Sequence, residues 1–182
     1  MPAQWETIAA QKQKAQREAI PSEWLLKSLP PPTQLDVRGI PGSCGILSAK
    51  ELEITEQHDA TSLILALAES KYTALQVATA FCKRAAIAQQ LTNCLTEIFF
   101  DRALARAKEL DAYFERTGRP IGPLHGLPIS LKDSFDIKGL DSSIGIAALA
   151  NKPASRNAPL VDILLEAGAV LYVKYVSHSP TP

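Results

Sequence analysis

Two short apolar runs in the last third of the chain constrain the fold more than any other feature. The first, Leu127-Pro-Ile-Ser-Leu-Lys132, is bounded by Gly126 and followed by Gly139; the second is Val170-Leu-Tyr-Val173. Each is too short for a typical helix and long enough for a buried strand. Between them Pro159 stands in the first turn of a helix through Leu160, Ile163, Leu164 and Ala167, which Gly168 closes. Strand, long connection with a helix, and strand again is the signature of a parallel pair, because parallel strands cannot be joined by a tight turn. The fold class is therefore α/β.

Upstream, the pattern is mostly helical. Ser48-Ala-Lys-Glu51 and Thr73-Ala-Leu-Gln76 are capping boxes, in which a hydroxyl and a carboxylate or amide satisfy two exposed backbone N–H groups reciprocally. The first opens a short helix through Leu52 and Ile54, and Leu63–Ala68 reads as another. The second capping box opens the strongest helix, with Leu75, Ala78, Cys82, Ala85 and Ile87 on its apolar side. Leu95–Phe100 is rich in β-formers and predicts a strand. Asp101 is expected to cap an alanine-rich helix that ends near Gly118. Ahead of all this, residues 1–30 predict two helices separated at Pro21, the second capped by Ser22 and carrying Trp24, Leu25, Leu26 and Leu29. Pro30, Pro31 and Pro32 stop it, and an extended connection runs on to Gly45. The expected organisation is a helical arm and connection over 1–47, a main unit over 48–174 and a divergent tail over 175–182.

The composition narrows the function classes. Nineteen basic residues balance nineteen acidic ones, so the basic surplus of a nucleic-acid binder is missing. Lys12, Lys14 and Arg17 lie at helical spacing among glutamines and read as a solvated helix face. Cys44, Cys82 and Cys94 have neither disulfide nor zinc-ligand spacing, and Cys82 is expected to be a buried free thiol. No metal or other cofactor is implied. The first ten residues carry no apolar core of a secretory signal, and no apolar stretch is long enough to span a bilayer. A cytoplasmic protein is expected.

Lys132 is the candidate for chemistry. It ends a predicted strand, and in parallel α/β sheets functional groups gather at the carboxyl ends of strands. Burial there would lower a lysine from its ordinary value of about 10.4 and leave a neutral amine able to act as a base. The structural alternative is an ion pair between Lys132 and Asp133 or Asp136 at the strand exit. Of the other candidates, Ser130 falls on the same side of the strand as Lys132, while Ser142 and Ser143 fall in a following loop. Gly42-Ser-Cys-Gly45 lacks both the spacing of a nucleophile turn and a preceding strand, and reads as a loop. His58 reads as a surface residue near a helix start, His125 as a turn-shaping residue, and His178 lies in the divergent tail.

The run Gly122-Pro-Leu-His-Gly-Leu-Pro-Ile-Ser-Leu-Lys-Asp133 closely resembles the G-P-L-H-G-x-P-x-S-x-K-D segment of the amidase-signature family, in its general amidase or acetamidase-like branch. The likeness continues through Ser134-Phe-Asp-Ile-Lys-Gly139, Asp141-Ser-Ser-Ile-Gly145, Leu160-Val-Asp-Ile-Leu-Leu-Glu-Ala-Gly-Ala169 and Val170-Leu-Tyr-Val-Lys174. Upstream it includes Ala80-Phe-Cys-Lys-Arg84 and Asn93-Cys-Leu-Thr-Glu97, so that it spans most of residues 45–174. The resemblance implies the N-terminal portion of that fold, a mixed sheet covered by helices, here with its sheet incomplete. It implies hydrolysis of small carboxamides by a Ser–Ser–Lys system in which Lys132 takes a proton through a bridging serine and so activates a nucleophilic serine. Backbone N–H groups would supply the oxyanion hole. Both serines belong to a G-G-S-S-G-G stretch that these 182 residues do not contain, and the match is lost from Tyr175 onward. The expectation is a truncated product that is inactive alone, its complete form acting on a small amide without nucleic acid or membrane span. The alternative is a non-catalytic fragment that binds a partner or does not fold stably.

Overall fold

The computed structural model describes residues 3–175. Its helices are α1 (Gln4–Glu18), α2 (Ile40–Ser43), α3 (Ala49–Glu56), α4 (Ala60–Ala68), α5 (Ala74–Thr92), α6 (Phe100–Thr117) and α7 (Pro159–Glu166). Its strands are β1 (Leu95–Ile98), β2 (Pro128–Lys132) and β3 (Val170–Tyr175). The sheet order is β1-β3-β2, with β2 parallel and β1 antiparallel to β3. The parallel pair expected from the two apolar runs is therefore present, in a small mixed sheet with few strands.

Both faces of β3 are covered, which explains why its sequence is nearly continuous in apolar residues. Val170 and Val173 join the larger core, which contains Ile54, Leu63, Val77, Cys82, Ala86, Phe100, Ala103 and Leu110 from the helices. Leu171 joins a second cluster with Leu131, Ile137 and Val161. The two capping boxes form as read: Ser48 accepts from Glu51 N–H and Thr73 from Gln76 N–H, and each Glu51 or Gln76 side chain answers the cap residue's own N–H. Asp59 caps α4 through Ser62 N–H at 2.7 Å. Cys82 is fully buried, and burial pushes its thiol well up.

Several local expectations give way to tertiary contacts. Residues 22–29 do not make a second helix; only a 3-10 turn, Ser22–Trp24, forms. The Gln90 side chain donates to Trp24 C=O at 3.0 Å and accepts from Leu26 N–H at 2.8 Å, holding this backbone open and replacing helical hydrogen bonds. The connection beyond the prolines contains the single-turn α2, so Ser43 lies in a short helix and not in a loop. Phe99, not Asp101, is the N-cap of α6, and Asp101 occupies its first turn. On α7, Leu160 and Ile163 face outward while Val161 is buried. Asp162 and Glu166 mark one polar side, the apolar residues spread over a wide arc opposite them, and of these only Val161 is fully buried.

The Gly122–Leu127 turn sets β2 beside β3 by direct backbone contact. Leu124 N–H donates to Ala167 C=O, and Gly126 N–H to Gly168 C=O, both at 2.9 Å. A side chain at Gly122 would place its Cβ 2.6 Å from the Ala167 oxygen. Gly168 has φ +95°, and a Cβ there would meet the His125 backbone at 2.9 Å. His125 is buried within this turn and accepts from Ile121 N–H at Nδ1, so its role is to shape the loop. Burial, aided by the charge of Arg106 and opposed by Asp111, lowers its pKa.

Candidate active site

Lys132 occupies the carboxyl end of β2, opposite Tyr175 of β3. Its side chain is exposed and makes no hydrogen bond or ion pair with any of the described residues. The strand is thus less buried at its exit than its apolar sequence suggests, and neither Asp133 nor Asp136 pairs with Lys132. Alternation along an extended chain accounts for the missing pair, because Lys132 and Asp133 point to opposite faces. Ser130, two residues back, is exposed like Lys132.

Asp133 turns inward and is 2 % exposed. Its Oδ1 accepts from Thr96 Oγ1 at 2.9 Å and lies 3.2 Å from Lys174 Nζ; its Oδ2 accepts from Ser143 Oγ at 3.1 Å and Ile144 N–H at 2.6 Å. Lys174, the last-but-one residue of β3, is completely buried. Its ammonium also donates to Asp141 C=O at 2.6 Å and to Ser142 Oγ at 2.9 Å. All three of its N–H donors therefore have an acceptor, and a buried lysine is tolerated only under such pairing. The loop that carries Ser142 and Ser143 holds Ile144 at φ +46°, an unusual conformation for a β-branched residue. The hydrogen bond to Asp133 is what retains it. Ser142 and Ser143 thus serve this network and do not approach a nucleophile's setting.

The arm reaches the same region. Lys12 of α1 pairs with Glu97 of β1 and, at 3.0 Å, with Asp141 Oδ2. Its expected place on a solvated face is therefore wrong; the partners are remote in sequence and no local pattern shows them. Burial alone would lower Lys12, but hydrogen bonds to Glu97 and Asp141 outweigh it and raise it. Burial raises Glu97 despite the Lys12 ammonium beside it. Burial works against ionisation of Asp141 too, but Lys12 and Asn151 N–H prevail and hold it below the usual carboxylate range. Gln16 of α1 donates to the carbonyls of Leu95 and Thr96, covering the outer side of β1.

The remaining sequence candidates fall elsewhere. His58 is half-buried, with Nε2 3.2 Å from the Tyr72 hydroxyl, and His178 lies outside the described residues. Among the described residues no cluster of His, Cys, Asp or Glu is placed to hold a metal ion, and no helix is long and apolar enough to cross a membrane. Lys174 is the residue whose importance the sequence concealed. The available signal is a lysine next to the end of an otherwise apolar strand.

A three-stranded mixed sheet with helices on both faces, and a lysine at the carboxyl end of its parallel strand after a G-P-L-H-G turn, define the N-terminal part of an amidase fold. The amidase family model matches residues 76–178, more than half of the chain, which therefore belongs to that family. The chain is 49% identical over 174 residues to the acetamidase of Emericella nidulans, covering 96% of this chain and 31% of that protein. It is 44% identical over 172 residues to the acetamidase of Aspergillus oryzae, covering 94% of this chain and 31% of that one. Among solved structures it is similar to fatty acid amide hydrolase, with TM-score 0.87 and 31% identity over 94% of this chain and 31% of the other. The chain thus spans about a third of the length of these relatives.

Proposed function

We propose that the chain is the part of an amide hydrolase that supplies the base, Lys132, for cleavage of small carboxamides to carboxylate and ammonia or amine. The supporting observation is the division of labour between neighbouring residues at the end of β2. Asp133 is fully engaged by Lys174, Thr96, Ser143 and Ile144, whereas Lys132 is exposed and unpaired among the described residues. In this reading the Lys132 amine takes a proton through a bridging serine from a nucleophilic serine, whose oxygen attacks the amide carbon. The carbon–nitrogen bond breaks as the leaving nitrogen is protonated, and water then hydrolyses the acyl ester. Both serines belong to a segment outside these 182 residues, so the chain alone should not turn over. The reading fits the names of the two acetamidases and the solved amide hydrolase that the chain resembles.

Acetamide and benzamide hydrolysis, followed as ammonia release, tests this. The 182-residue chain should show none, and turnover that disappears on Lys132→Ala would overturn that expectation. A longer product of the same reading frame should hydrolyse one of the two, and Lys132→Ala should reduce kcat by at least about a thousandfold. An undiminished kcat would remove Lys132 from the mechanism. The alternative, a non-catalytic fragment that associates with a partner, draws on the outward-facing Leu160 and Ile163 and on the outer edge of β2. Size-exclusion chromatography separates it from a compact monomer.

A further inference from the structure

We propose that Lys174 is a positioning residue for Lys132, an inference that rests on the reading of Lys132 as the base. The two lysines end adjacent parallel strands and have opposite environments. Lys132 is exposed at the exit of β2; Lys174, paired in register with Leu131, is wholly buried on the other side. From there the Lys174 ammonium fastens three points at once. It holds Asp133, the residue directly after Lys132, and through Asp141 C=O and Ser142 Oγ it holds the loop that returns over the strand end. Asp133 in turn fixes Ser143 and the strained Ile144 from that loop and Thr96 from β1. Its backbone N–H donates to Tyr175 C=O at 3.0 Å, so the ladder between β2 and β3 extends one residue past Lys132.

The consequence is that Lys132 is placed from behind. Its own side chain makes no hydrogen bond or ion pair with the described residues, so its location depends on the backbone on either side. On the N-terminal side that backbone is held by the β-ladder, and on the C-terminal side by Asp133. A single buried charge therefore ties β1, β2, β3 and the 141–144 loop into one frame around the strand exit. A methionine at 174 would keep the apolar stem and remove the three interactions of the ammonium, with Asp133, Asp141 C=O and Ser142. Lost hydrogen bonds to a charged group correspond to a roughly ten- to hundredfold change in a local opening equilibrium.

The test uses Lys174→Met in the 182-residue chain, with wild type alongside. Amide exchange of Asp133 and Ile144 should accelerate roughly ten- to hundredfold, while Val77 and Ala86 in α5 keep their protection relative to global unfolding. The Cα and Cβ chemical shifts of Lys132 should move from strand toward coil values, a signature that a general loss of stability does not produce in the native state. If Lys174→Met lacks a cooperative urea transition, Lys174→Met with Asp133→Asn removes both charges and takes its place, with the same displacement of the Lys132 shifts expected. Native-like Lys132 shifts and Ile144 exchange in a folded variant would overturn the proposal. Loss of cooperative folding in both variants would overturn it too, since Lys174 would then be required for folding and not for positioning. These readouts do not involve turnover. A longer product whose amide hydrolysis survives Lys132→Ala would sink the base assignment and leave the coupling between Lys174 and Lys132 measurable.

Discussion

Replacing Gly122 with alanine probes whether the G-P-L-H-G turn acts by letting two backbones touch. The added Cβ would sit 2.6 Å from the Ala167 oxygen and 2.9 Å from its carbonyl carbon, so the obstacle is main chain and cannot swing aside. Overpacking of this kind costs about 1–3 kcal/mol. The displaced turn would also weaken the Leu124 to Ala167 hydrogen bond, now 2.9 Å, for about 1 kcal/mol more. A total of about 3 kcal/mol should lower the Tm of a chain of this size by roughly 6–12 °C. Urea denaturation followed by circular dichroism measures the change, and an unaltered slope would show that the unfolded surface is unchanged. Gly42→Ala, in open space within α2, is the control and should be neutral or slightly stabilising. A Gly122→Ala chain within about 0.5 kcal/mol of wild type would refute backbone contact as the reason for glycine, since surface substitutions remote from such features fall in that range.

Two further outcomes follow from the helices around this turn. Asp111 of α6 accepts from the N–H groups of Ala74 at 2.7 Å and Leu75 at 3.0 Å, capping α5 from a neighbouring helix; Asp111→Ala should cost about 2–4 kcal/mol in urea denaturation, and a loss below about 0.5 kcal/mol would show that water replaces it. His125 has its pKa lowered mainly by burial, so the folded chain holds fewer protons there than the unfolded chain. Its contribution is present above the ordinary value of about 6.5 and is lost as pH falls through the lowered one. His125→Asn keeps an acceptor for Ile121 N–H but does not titrate, so its stability should fall less than that of wild type between about pH 7.5 and 5.5; equal losses would exclude His125 as the source.

What was legible in the sequence was whatever depends on near neighbours. The capping boxes at Ser48 and Thr73, the stop at Gly118 and the parallel pairing of β2 with β3 all arise from spacings of a few residues or from the geometry of a crossover. Lys132 stands out in the sequence by its place at a predicted strand end and by the motif around it, and the structure puts it at the carboxyl end of β2. Residues 22–29 read as a helix in the sequence and do not form one, because their hydrogen-bond partner, Gln90, lies on another helix. The pairing of Lys12 is hidden for the same reason, its partners Glu97 and Asp141 being distant in the chain.

The α/β class and the motif that carries Lys132 are readable in the sequence alone. Only the tertiary structure decided which of two strand-end lysines is buried and which is exposed, and to which of them Asp133 belongs. The physical reason is that adjacent residues on a strand face opposite ways, so Asp133 is nearer to Lys174 across the sheet than its place beside Lys132 suggests. Burial then makes that pairing obligatory, since a buried charge must find its partners wherever the fold brings them.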